Sequence, residues 1–235
     1  MSTNNVECKQ QQDDDSHLNH ALYHPIVTPS PACPNVPVTY KIIIGVGVIV
    51  RDDSRVLMGR RLNSHGHGTW AVPGGRVEAG ETFIATAVRE LKEETGIEIS
   101  AEVPHVPYIF PPTASSPVVD TKRTSVFEQG TMAVLCPKEK AHMIVSYVVA
   151  DRPAGSEAVV TEPDKCAGWH WVPWSDLAAI AHYHESLLRG THVTKPTLSA
   201  ECPINIDSDM LFAPLHALAL TKFVPSQAKP FDINM

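Results

Sequence analysis

The chain has 235 residues, of which 43% are hydrophobic and 19% are charged, and its formal net charge at pH 7 is −7. A chain of this length predicts one large domain, or one domain with long extensions, and its hydrophobic share is ample for a core. The negative net charge argues against a protein that coats a polyanion, such as a general DNA-binding protein.

The start of the chain and its cysteines indicate where the protein resides. The run MSTNNVECKQQQDDD has neither the cationic, apolar leader of a secreted protein nor the Arg-rich character of an organelle transit peptide. No apolar run approaches the roughly 18 residues that a membrane span requires. The five cysteines include no C-x-x-C pair, which argues against a zinc site and a disulfide framework. We therefore expect a cytoplasmic protein without a membrane partner, and the nucleus is the alternative.

The first 37 residues have the composition of a disordered tail. A Gln- and Asp-rich run at residues 11–15 is followed by five prolines between residues 25 and 37. Beyond the tail, β-branched residues dominate the first segment, which is typical of a strand. The elements predicted next are a strand buried on both faces at residues 40–50, a turn at 52–54, a strand at 55–59, and a short strand at 70–72 before a glycine loop at 73–75.

The following segment predicts a helix with carboxylates on one face. Glu93 and Glu94 lie three and four residues after Glu90, so all three side chains project from the same side. Arg89 lies four residues before Glu93 and is placed to form an ion pair with it. Carboxylates this close repel one another unless a cation lies among them. The helix is therefore expected to hold a divalent metal ion, and a solvated helix face rich in glutamate is the ordinary alternative.

The opposite face of this helix is mainly apolar. Its stripe consists of Ile84, Val88, Leu91 and Thr95, in a 4-3-4 spacing that suits packing against a sheet. Gly96 is expected to form a left-handed C-cap, since glycine takes positive φ without steric cost. A merely solvated face does not explain why Gly75, Glu81 and Gly96 stand in register with the glutamates.

The remaining predicted elements are strands followed by helices. Strands are expected at residues 98–103, 131–135, 143–150 and 169–172, and helices at residues 175–188 and 210–223. Ser175 or Asp176 is expected to cap the first of these helices. Two histidine pairs lack further metal ligands and are interpreted as surface or loop residues: His65 with His67, and His182 with His184. Helices that flank a mixed sheet make the fold class α/β.

Residues 75–97 read GRVEAGETFIATAVRELKEETGI, and this run resembles the Nudix box without a departure. The box is Gly, five residues, Glu, seven residues, Arg-Glu, an aliphatic residue, any residue, Glu-Glu, any residue, Gly and an aliphatic residue. The resemblance implies an α/β/α sandwich with a mixed β-sheet between helices. It places a Nudix domain at residues 38–225, between an N-terminal tail at 1–37 and a C-terminal tail at 226–235. Two insertions, near 104–142 and 178–209, flank regions expected to border a nucleobase.

The resemblance also implies a site for Mg²⁺, with Mn²⁺ as the alternative metal. Glu90 and Glu94 are the first expected ligands, Glu93 shares or orients that cluster, and the backbone carbonyl of Gly75 completes the metal shell. Glu81 has two interpretations, a ligand through water or a structural residue at the helix start. The expected catalytic residues are Glu94 as the base that activates water, Glu90 as the next choice for that role, Glu93, and Arg89 as the residue that orients a glutamate.

A second resemblance links the chain to the MutT-like subgroup that acts on nucleoside triphosphates. It rests on residues 45–48, 59–61, 70–75, 162–171 and 210–215. It implies hydrolysis of a diphosphate linkage to nucleoside monophosphate and pyrophosphate, with oxidised or modified bases among the candidate substrates. Arg61 is expected to contact phosphates, with a surface arginine as the alternative, and Phe212 to stack on a base, with plain core packing as the alternative. Gly74 and Gly75 complete the expected substrate site.

Three functions stay open from the sequence. The first is hydrolysis of nucleoside triphosphates. The second is hydrolysis of another nucleoside diphosphate derivative, such as ADP-ribose, a nucleotide sugar or a dinucleotide. The third is a Nudix domain that binds nucleotide without catalysis, against which the complete set of box glutamates argues. In each case the expected partner is a small-molecule nucleotide and not a nucleic acid polymer, and the insertions leave a homodimer open.

Overall fold

The computed structural model describes residues 40–62, 65–99, 126–136 and 140–228. Within them the strands are β1 (Lys41–Asp52), β2 (Arg55–Arg61), β3 (Trp70–Ala71), β4 (Val126–Cys136), β5 (Ala141–Asp151) and β6 (Cys166–Pro173). The helices are α1 (Phe83–Thr95), α2 (Trp174–Leu188) and α3 (Ala213–Ala219), and a 3₁₀ turn follows at Pro225–Gln227. The predicted N-terminal tail and most of the insertion near 104–142 lie outside the described residues.

The strands form one mixed sheet. Its order is β3-β2-β1-β5-β4, and β6 also pairs with β2. The central pair, β1 with β5, is parallel along its whole length, and the other pairs are antiparallel. A parallel pair in the middle of a sheet is covered on both faces, which agrees with the continuous apolar run that predicted β1.

Helices cover the two faces of this sheet. Val46, Val48 and Val50 of β1 pack on the face that α1 covers through Ala87 and Leu91. The alternate residues of β1 face the other way, into a core formed with α2 and α3. The predicted α/β fold, a sandwich with a mixed sheet between helices, is confirmed, whereas the domain boundaries stay a prediction.

The local signals predicted α1 well. Its first turn is capped by Thr82, whose Oγ1 accepts a hydrogen bond from the backbone N of Ala85 at 3.0 Å, a contact that stabilises a helix by about 1 kcal/mol. Gly96 ends the helix in the left-handed conformation at φ 70°, and its N–H donates to Lys92 O at 3.0 Å. Leu91 and Thr95 of the predicted stripe are fully buried.

The predicted strand at 98–103 is not observed in its described part. Glu98 and Ile99 have no regular structure, and residues 100–103 lie outside the described ranges. Ile97 and Ile99 are nevertheless buried in the core beneath α1. Their alternation with polar residues therefore reflects burial of every second side chain, and no described strand pairs with them.

The final helix is shorter than predicted, because its expected first turn belongs to the sheet. Trp70 N donates to Met210 O at 2.9 Å, and Phe212 N donates to Trp70 O at 2.8 Å. These bonds hold the segment extended beside β3, and α3 begins only at Ala213, with Pro214 in its first turn. The prediction of a helix over 210–223 is therefore wrong outside Ala213–Ala219.

The capping prediction for α2 is also wrong. The helix begins at Trp174, one residue earlier than expected, and Pro173 occupies the cap position without a side-chain hydrogen bond. Asp176 lies inside the first turn, where its carboxylate accepts hydrogen bonds from the N and Oγ of Ser199. It therefore ties the segment after α2 back onto the helix.

The described part of the predicted C-terminal tail packs on β1. Arg51 donates hydrogen bonds to the carbonyl oxygens of Pro225 and Ala228, so the 3₁₀ turn lies against the strand end. In the ranges that the structure describes, no helix has both the length and the apolar character to cross a bilayer.

Candidate active site

A glycine loop between β3 and α1 lies against the edge of β1. The carbonyl oxygen of Gly75 accepts a hydrogen bond from Val46 N at 2.9 Å. Gly74 has φ 150°, and a Cβ atom there would lie 2.1 Å from Val46 O. A Cβ atom on Gly75 would lie 2.2 Å from Oε1 of Glu90. Glycine at both positions therefore allows the loop to lie directly between β1 and the carboxylates of α1.

Arg89 of α1 holds three carboxylates in place. Its Nε and Nη2 donate to the two oxygens of Glu81 at 2.7 and 2.9 Å, which is a bidentate pair. Its Nη1 donates to Glu90 at 2.9 Å and to Glu93 at 3.1 Å. Nη2 also donates to the backbone carbonyl of Arg76, which ties the helix to the glycine loop. The contacts of Arg89 are thus those of the orienting residue that the sequence predicts.

Glu81 is anchored at the start of α1. Besides the pair with Arg89, its Oε2 accepts hydrogen bonds from Glu78 N at 3.1 Å and Thr86 Oγ1 at 2.8 Å. The hydrogen bonds from Arg89 lower the pKa of Glu81 to about 2, against the opposing effect of burial. Of the two interpretations of Glu81, these contacts support the structural one.

Glu94 is the most strongly perturbed carboxylate on α1. Its Oε2 accepts a hydrogen bond from Gly74 N at 2.9 Å. Burial raises the pKa of Glu94 to about 7, and the negative charges of Glu90 and Glu162 act in the same direction, while the Gly74 N–H and the charge of Arg61 oppose the rise. A carboxylate with a pKa near neutrality is suited to proton transfer.

Glu90 lies beside Glu94, and Glu93 is set apart from both. Burial raises the pKa of Glu90, and the charge of Glu93 adds to this, although the hydrogen bond from Arg89 acts against it. The side chain of Glu93 is 52% exposed, and its carboxylate pairs with Arg89. The structure therefore brings Glu90 and Glu94 together, whereas Glu93 lies on the exposed side of the helix.

The carboxylates at this site suit a hard divalent cation, and the described side chains would supply only part of its coordination shell. In the part of the chain that the structure describes, no three His, Cys, Asp or Glu side chains form a group that could hold a metal ion. Glu90 and Glu94 are desolvated carboxylates whose charges repel, and a cation between them would relieve both effects. Mg²⁺ typically binds one or two carboxylates together with substrate phosphates, so this pair suits Mg²⁺.

A cavity of about 580 Å³ opens beside these carboxylates. One end is polar and carries Glu90, Glu94, Arg61 and Lys165, with the glycine loop beside them. The other end is apolar and lies on the face of β1 and β5 that α3 covers. It is lined chiefly by Ile43, Met143, Val145, Tyr147, Phe212 and Leu215. A cavity of this size, with charged groups at one end and an apolar wall at the other, is typical of small-molecule sites.

Arg61 and Phe212 meet in this cavity. The Arg61 guanidinium carbon lies 4.9 Å from the centroid of the Phe212 ring, within reach of a cation–π contact. Its Nε donates to His65 O at 3.0 Å. Burial lowers the pKa of Arg61, while the charge of Glu94 opposes this. Arg61 is therefore not a surface arginine, and Phe212 combines contact with the core and contact with the cavity.

Gly74, Gly75, Arg61 and Phe212 all line the cavity, as do Glu90 and Glu94. Among the described lining residues with polar side chains, the sequence assigns no site role to four: Lys165, Tyr147, His65 and Arg76. Lys165 donates to Glu162 Oε1 at 2.6 Å, and the Glu162–Lys165 spacing was visible in the sequence as part of the MutT-like stretch. Tyr147 gave no such signal, because a tyrosine in an apolar strand looks like core.

The prediction for one histidine is wrong, and one of the two insertions lies outside the cavity wall that it flanks. His184 is buried, and its Nε2 lies 2.7 Å from Ile206 O, so it is a packed helix residue and not a surface histidine. The insertion near 178–209 contributes no residue to the cavity wall. Instead its last residue, Asp209, accepts a hydrogen bond from Trp70 Nε1 at 3.0 Å and so supports the segment that carries Phe212.

Comparison with known proteins gives a consistent result. A family model described as the NUDIX domain matches residues 41–190. The chain is similar to Nudix hydrolase 25 of Arabidopsis thaliana, at 40% identity over 36% of this chain and 49% of that protein. It is similar to an ADP-ribose pyrophosphatase of Methanocaldococcus jannaschii, at 44% identity over 23% of this chain and 32% of that protein.

An 8-oxo-dGTP diphosphatase of Proteus vulgaris is 41% identical over 26% of this chain and 54% of that protein. The chain thus spans about a third to a half of the length of these curated relatives. Among solved structures, the crystal structure of a MutT NUDIX hydrolase from Burkholderia pseudomallei aligns with a TM-score of 0.44 at 20% identity, over 57% of this chain and 85% of that chain.

Proposed function

The chain belongs to the Nudix family, and on that basis we propose that it is a Mg²⁺-dependent hydrolase of a diphosphate linkage in nucleoside triphosphates, which releases nucleoside monophosphate and pyrophosphate. The observation that carries the proposal is the desolvated pair of Glu90 and Glu94 at the polar end of a cavity of about 580 Å³. Hydrolysis of a polyphosphate requires neutralisation of phosphate oxygens and a placed water molecule, and this end of the cavity has groups for both.

Glu94 is the proposed general base. Gly74 N–H holds its Oε2, and no described residue hydrogen-bonds its Oε1, which is left to accept a proton. As water oxygen bonds to phosphorus and the bond to the leaving phosphate breaks, the proton of the water passes to Glu94. Without a bound cation, a pKa of about 7 leaves a large fraction of Glu94 ionised at neutral pH, and the ionised carboxylate is the form that accepts a proton.

Positively charged side chains are proposed to bind the polyphosphate. Arg61 and Lys165 line the polar end with Glu90 and Glu94, and Arg61 keeps its charge there because guanidinium groups do not lose their proton in proteins. Arg89 does not line the cavity, and it acts by fixing the position of Glu90. When bound, Mg²⁺ supplies charge neutralisation at the phosphate oxygens.

Two relatives favour particular substrate classes. The similarity to an 8-oxo-dGTP diphosphatase supports nucleoside triphosphates with oxidised bases. The similarity to an ADP-ribose pyrophosphatase supports a second candidate function, hydrolysis of a nucleoside diphosphate derivative. A cytoplasmic location and a homodimer also stay proposals.

A substrate panel tests these functions directly. The purified chain would be assayed with Mg²⁺, with Mn²⁺ and with a chelator, on nucleoside triphosphates, oxidised nucleoside triphosphates, ADP-ribose and a nucleotide sugar. We expect pyrophosphate from the triphosphates and no turnover with the chelator. Turnover of ADP-ribose or the nucleotide sugar alone would favour the second function. Nucleotide binding without turnover of any substrate would leave only the non-catalytic domain.

A further inference from the structure

The apolar end of the cavity has a floor made by two neighbouring strands. Ile43, Gly45 and Gly47 of β1 stand beside Met143, Val145 and Tyr147 of β5, in register as pairs, and all six line the cavity. Leu215 of α3 and Phe212 lie across from them. Because two of the three β1 positions are glycine, the floor is open above β1, and the β5 side chains can extend over it.

Tyr147 extends over the vacant side-chain position of Gly47. A Cβ atom on Gly47 would lie 2.5 Å from Cε1 of the Tyr147 ring, which is closer than real Cβ atoms approach. The tyrosine is 1% exposed. Glycine at 47 is therefore a condition for the position of this ring in the cavity wall.

The hydroxyl of Tyr147 is buried without a partner. No hydrogen bond joins it to any residue that the structure describes, and burial alone raises its pKa, so it stays protonated. Within the same ranges, Nδ1 of His184 is the one side-chain polar atom that is both fully enclosed and without a partner. The Tyr147 oxygen also lacks a partner, so it is not fully enclosed, and the cavity that Tyr147 lines gives access to it. An unpaired hydroxyl is unfavourable in an apolar site, and a ligand that accepts its hydrogen bond removes that cost.

We propose that the Tyr147 hydroxyl is a specificity-determining group that donates a hydrogen bond to an exocyclic carbonyl oxygen of a nucleobase, and so favours guanine and uracil over adenine. The inference rests on the proposed binding of nucleotides but not on their hydrolysis. The polar end takes the phosphates, since Arg61 and Lys165 lie there, and the flat apolar floor is left for the base. Guanine and uracil present an exocyclic carbonyl oxygen to the phenol proton, whereas adenine has no exocyclic carbonyl and offers only ring nitrogens as acceptors.

The test is the binding of nucleoside monophosphates without a divalent cation. Dissociation constants for GMP, UMP and AMP would be measured by calorimetric titration of the wild-type chain, Tyr147→Phe and Tyr183→Phe. Tyr183 lies on α2 outside the cavity wall, so its variant removes the same hydroxyl elsewhere. We expect Tyr147→Phe to weaken GMP and UMP about 5- to 10-fold, the value of one hydrogen bond, and AMP less than about 2-fold. Tyr183→Phe should change none of them.

The melting temperature of Tyr147→Phe without ligand gives a second readout. Because the lost hydroxyl has no partner, the variant should melt at or above the wild-type temperature, which separates a ligand contact from a structural one. Equal weakening of all three nucleotides, unchanged GMP and UMP binding, or no binding by the wild type would overturn the inference. If the chain hydrolyses triphosphates but Tyr147→Phe binds GMP and UMP as the wild type does, only this inference is overturned. If GMP and UMP binding depends on Tyr147 but no triphosphate is hydrolysed, only the proposed hydrolysis is overturned.

Discussion

A single backbone N–H determines how Glu94 is presented to the cavity. It holds one carboxylate oxygen against the glycine loop while the surroundings withdraw the group from water, and the two effects act on the pKa in opposite directions. Burial is the larger effect, so the group is a base of near-neutral strength. Its neighbour Glu90 instead accepts a hydrogen bond from the charged guanidinium of Arg89, which fixes its position beside Glu94. This hydrogen bond opposes the rise that burial causes in the pKa of Glu90.

Replacing Glu94 with Gln tests this assignment. The amide oxygen of Gln can still accept the Gly74 N–H, so the fold should be kept, and removal of a desolvated carboxyl should not lower the melting temperature. Loss of a positioned base should reduce kcat by at least about 10²-fold. Single-turnover and steady-state kinetics on a triphosphate would measure the change. The control is Glu98→Gln, an exposed carboxylate paired with Lys92 outside the cavity, and near-wild-type kcat for Glu94→Gln would remove the residue from the mechanism.

The glycine loop is the element that couples the sheet to the acidic helix. Its two glycines have different neighbours, since a Cβ atom on Gly74 would meet backbone and one on Gly75 would meet the mobile end of Glu90. Only the first of these contacts involves atoms that the fold cannot move. The loop therefore contains one position required for folding and one required for the geometry of a carboxylate.

Alanine at these two positions should separate stability from activity. Gly74→Ala adds a backbone clash and a strained φ, and should cost more than about 3 kcal/mol of unfolding free energy. Gly75→Ala displaces the Glu90 carboxylate, so it should lower kcat/KM at least about tenfold and cost less than about 1.5 kcal/mol. Gly80→Ala, with φ 90° and open space around it, is the control for backbone strain alone. Denaturant unfolding and kinetics would be measured on all three, and equal stability losses at 74 and 75 would contradict the distinction.

The contact between α2 and α3 contains a titratable group. His216 Nε2 of α3 lies 3.6 Å from Glu185 Oε2 of α2. Burial lowers the pKa of His216, Glu185 opposes this, and the nearby His184 and His182 add to the lowering. The pKa of His216 in the folded chain lies below the unfolded value of about 6.5. Between these two pKa values, the unfolded chain binds more protons than the folded chain. Stability is then complete above about pH 6.5 and falls as the pH drops through this range.

His216→Asn should therefore weaken the pH dependence of stability. Melting temperatures of the wild type and the variant would be compared between about pH 7.5 and 5.5, the range that spans histidine titration. On acidification, the melting temperature of the wild type should fall by more than that of the variant, whatever the difference between the two melting temperatures at about pH 7.5. His192→Asn changes an exposed histidine and should leave the slope as in the wild type. Parallel curves for wild type and His216→Asn would contradict the assignment.

Elements with a local repeat could be predicted from the sequence, and those that depend on distant partners could not. The spacing of α1 and the apolar run of β1 contain their own periodicity. Residues 210–212 look helical in isolation, but hydrogen bonds to Trp70, about 140 positions away in the chain, hold them extended. The site divides in the same way. The box glutamates and Arg89 are close in sequence, whereas Tyr147 and Lys165 join the cavity only through the packing of β5 and the turn before β6.

The cavity is lined by residues from both faces of the sheet, and its two ends differ in chemistry. Carboxylates from α1 reach the polar end past the glycine loop, and the apolar end lies on the opposite face beneath α3. A ligand with an anionic part and an apolar part would complement both ends. Of the residues that the structure describes, only Glu90 and Glu94 bring carboxylates to its wall. A cation at that end would thus need phosphate oxygens to complete its coordination.

Mg²⁺ and a nucleotide should consequently bind cooperatively. Thermal melting would be measured with Mg²⁺ alone, with a non-hydrolysable nucleoside triphosphate analogue alone, and with both. Since each ligand supplies partners that the other lacks, Mg²⁺ should lower the dissociation constant of the analogue by at least about tenfold, and the analogue should do the same for Mg²⁺. In the double variant Glu90→Gln with Glu94→Gln the coupling should fall to below about 2-fold. Binding of the analogue alone should be kept or become tighter, because Arg61 and Lys165 are retained and two negative charges are removed. Purely additive stabilisation in the wild type would mean that the carboxylate pair and the phosphates do not share a cation.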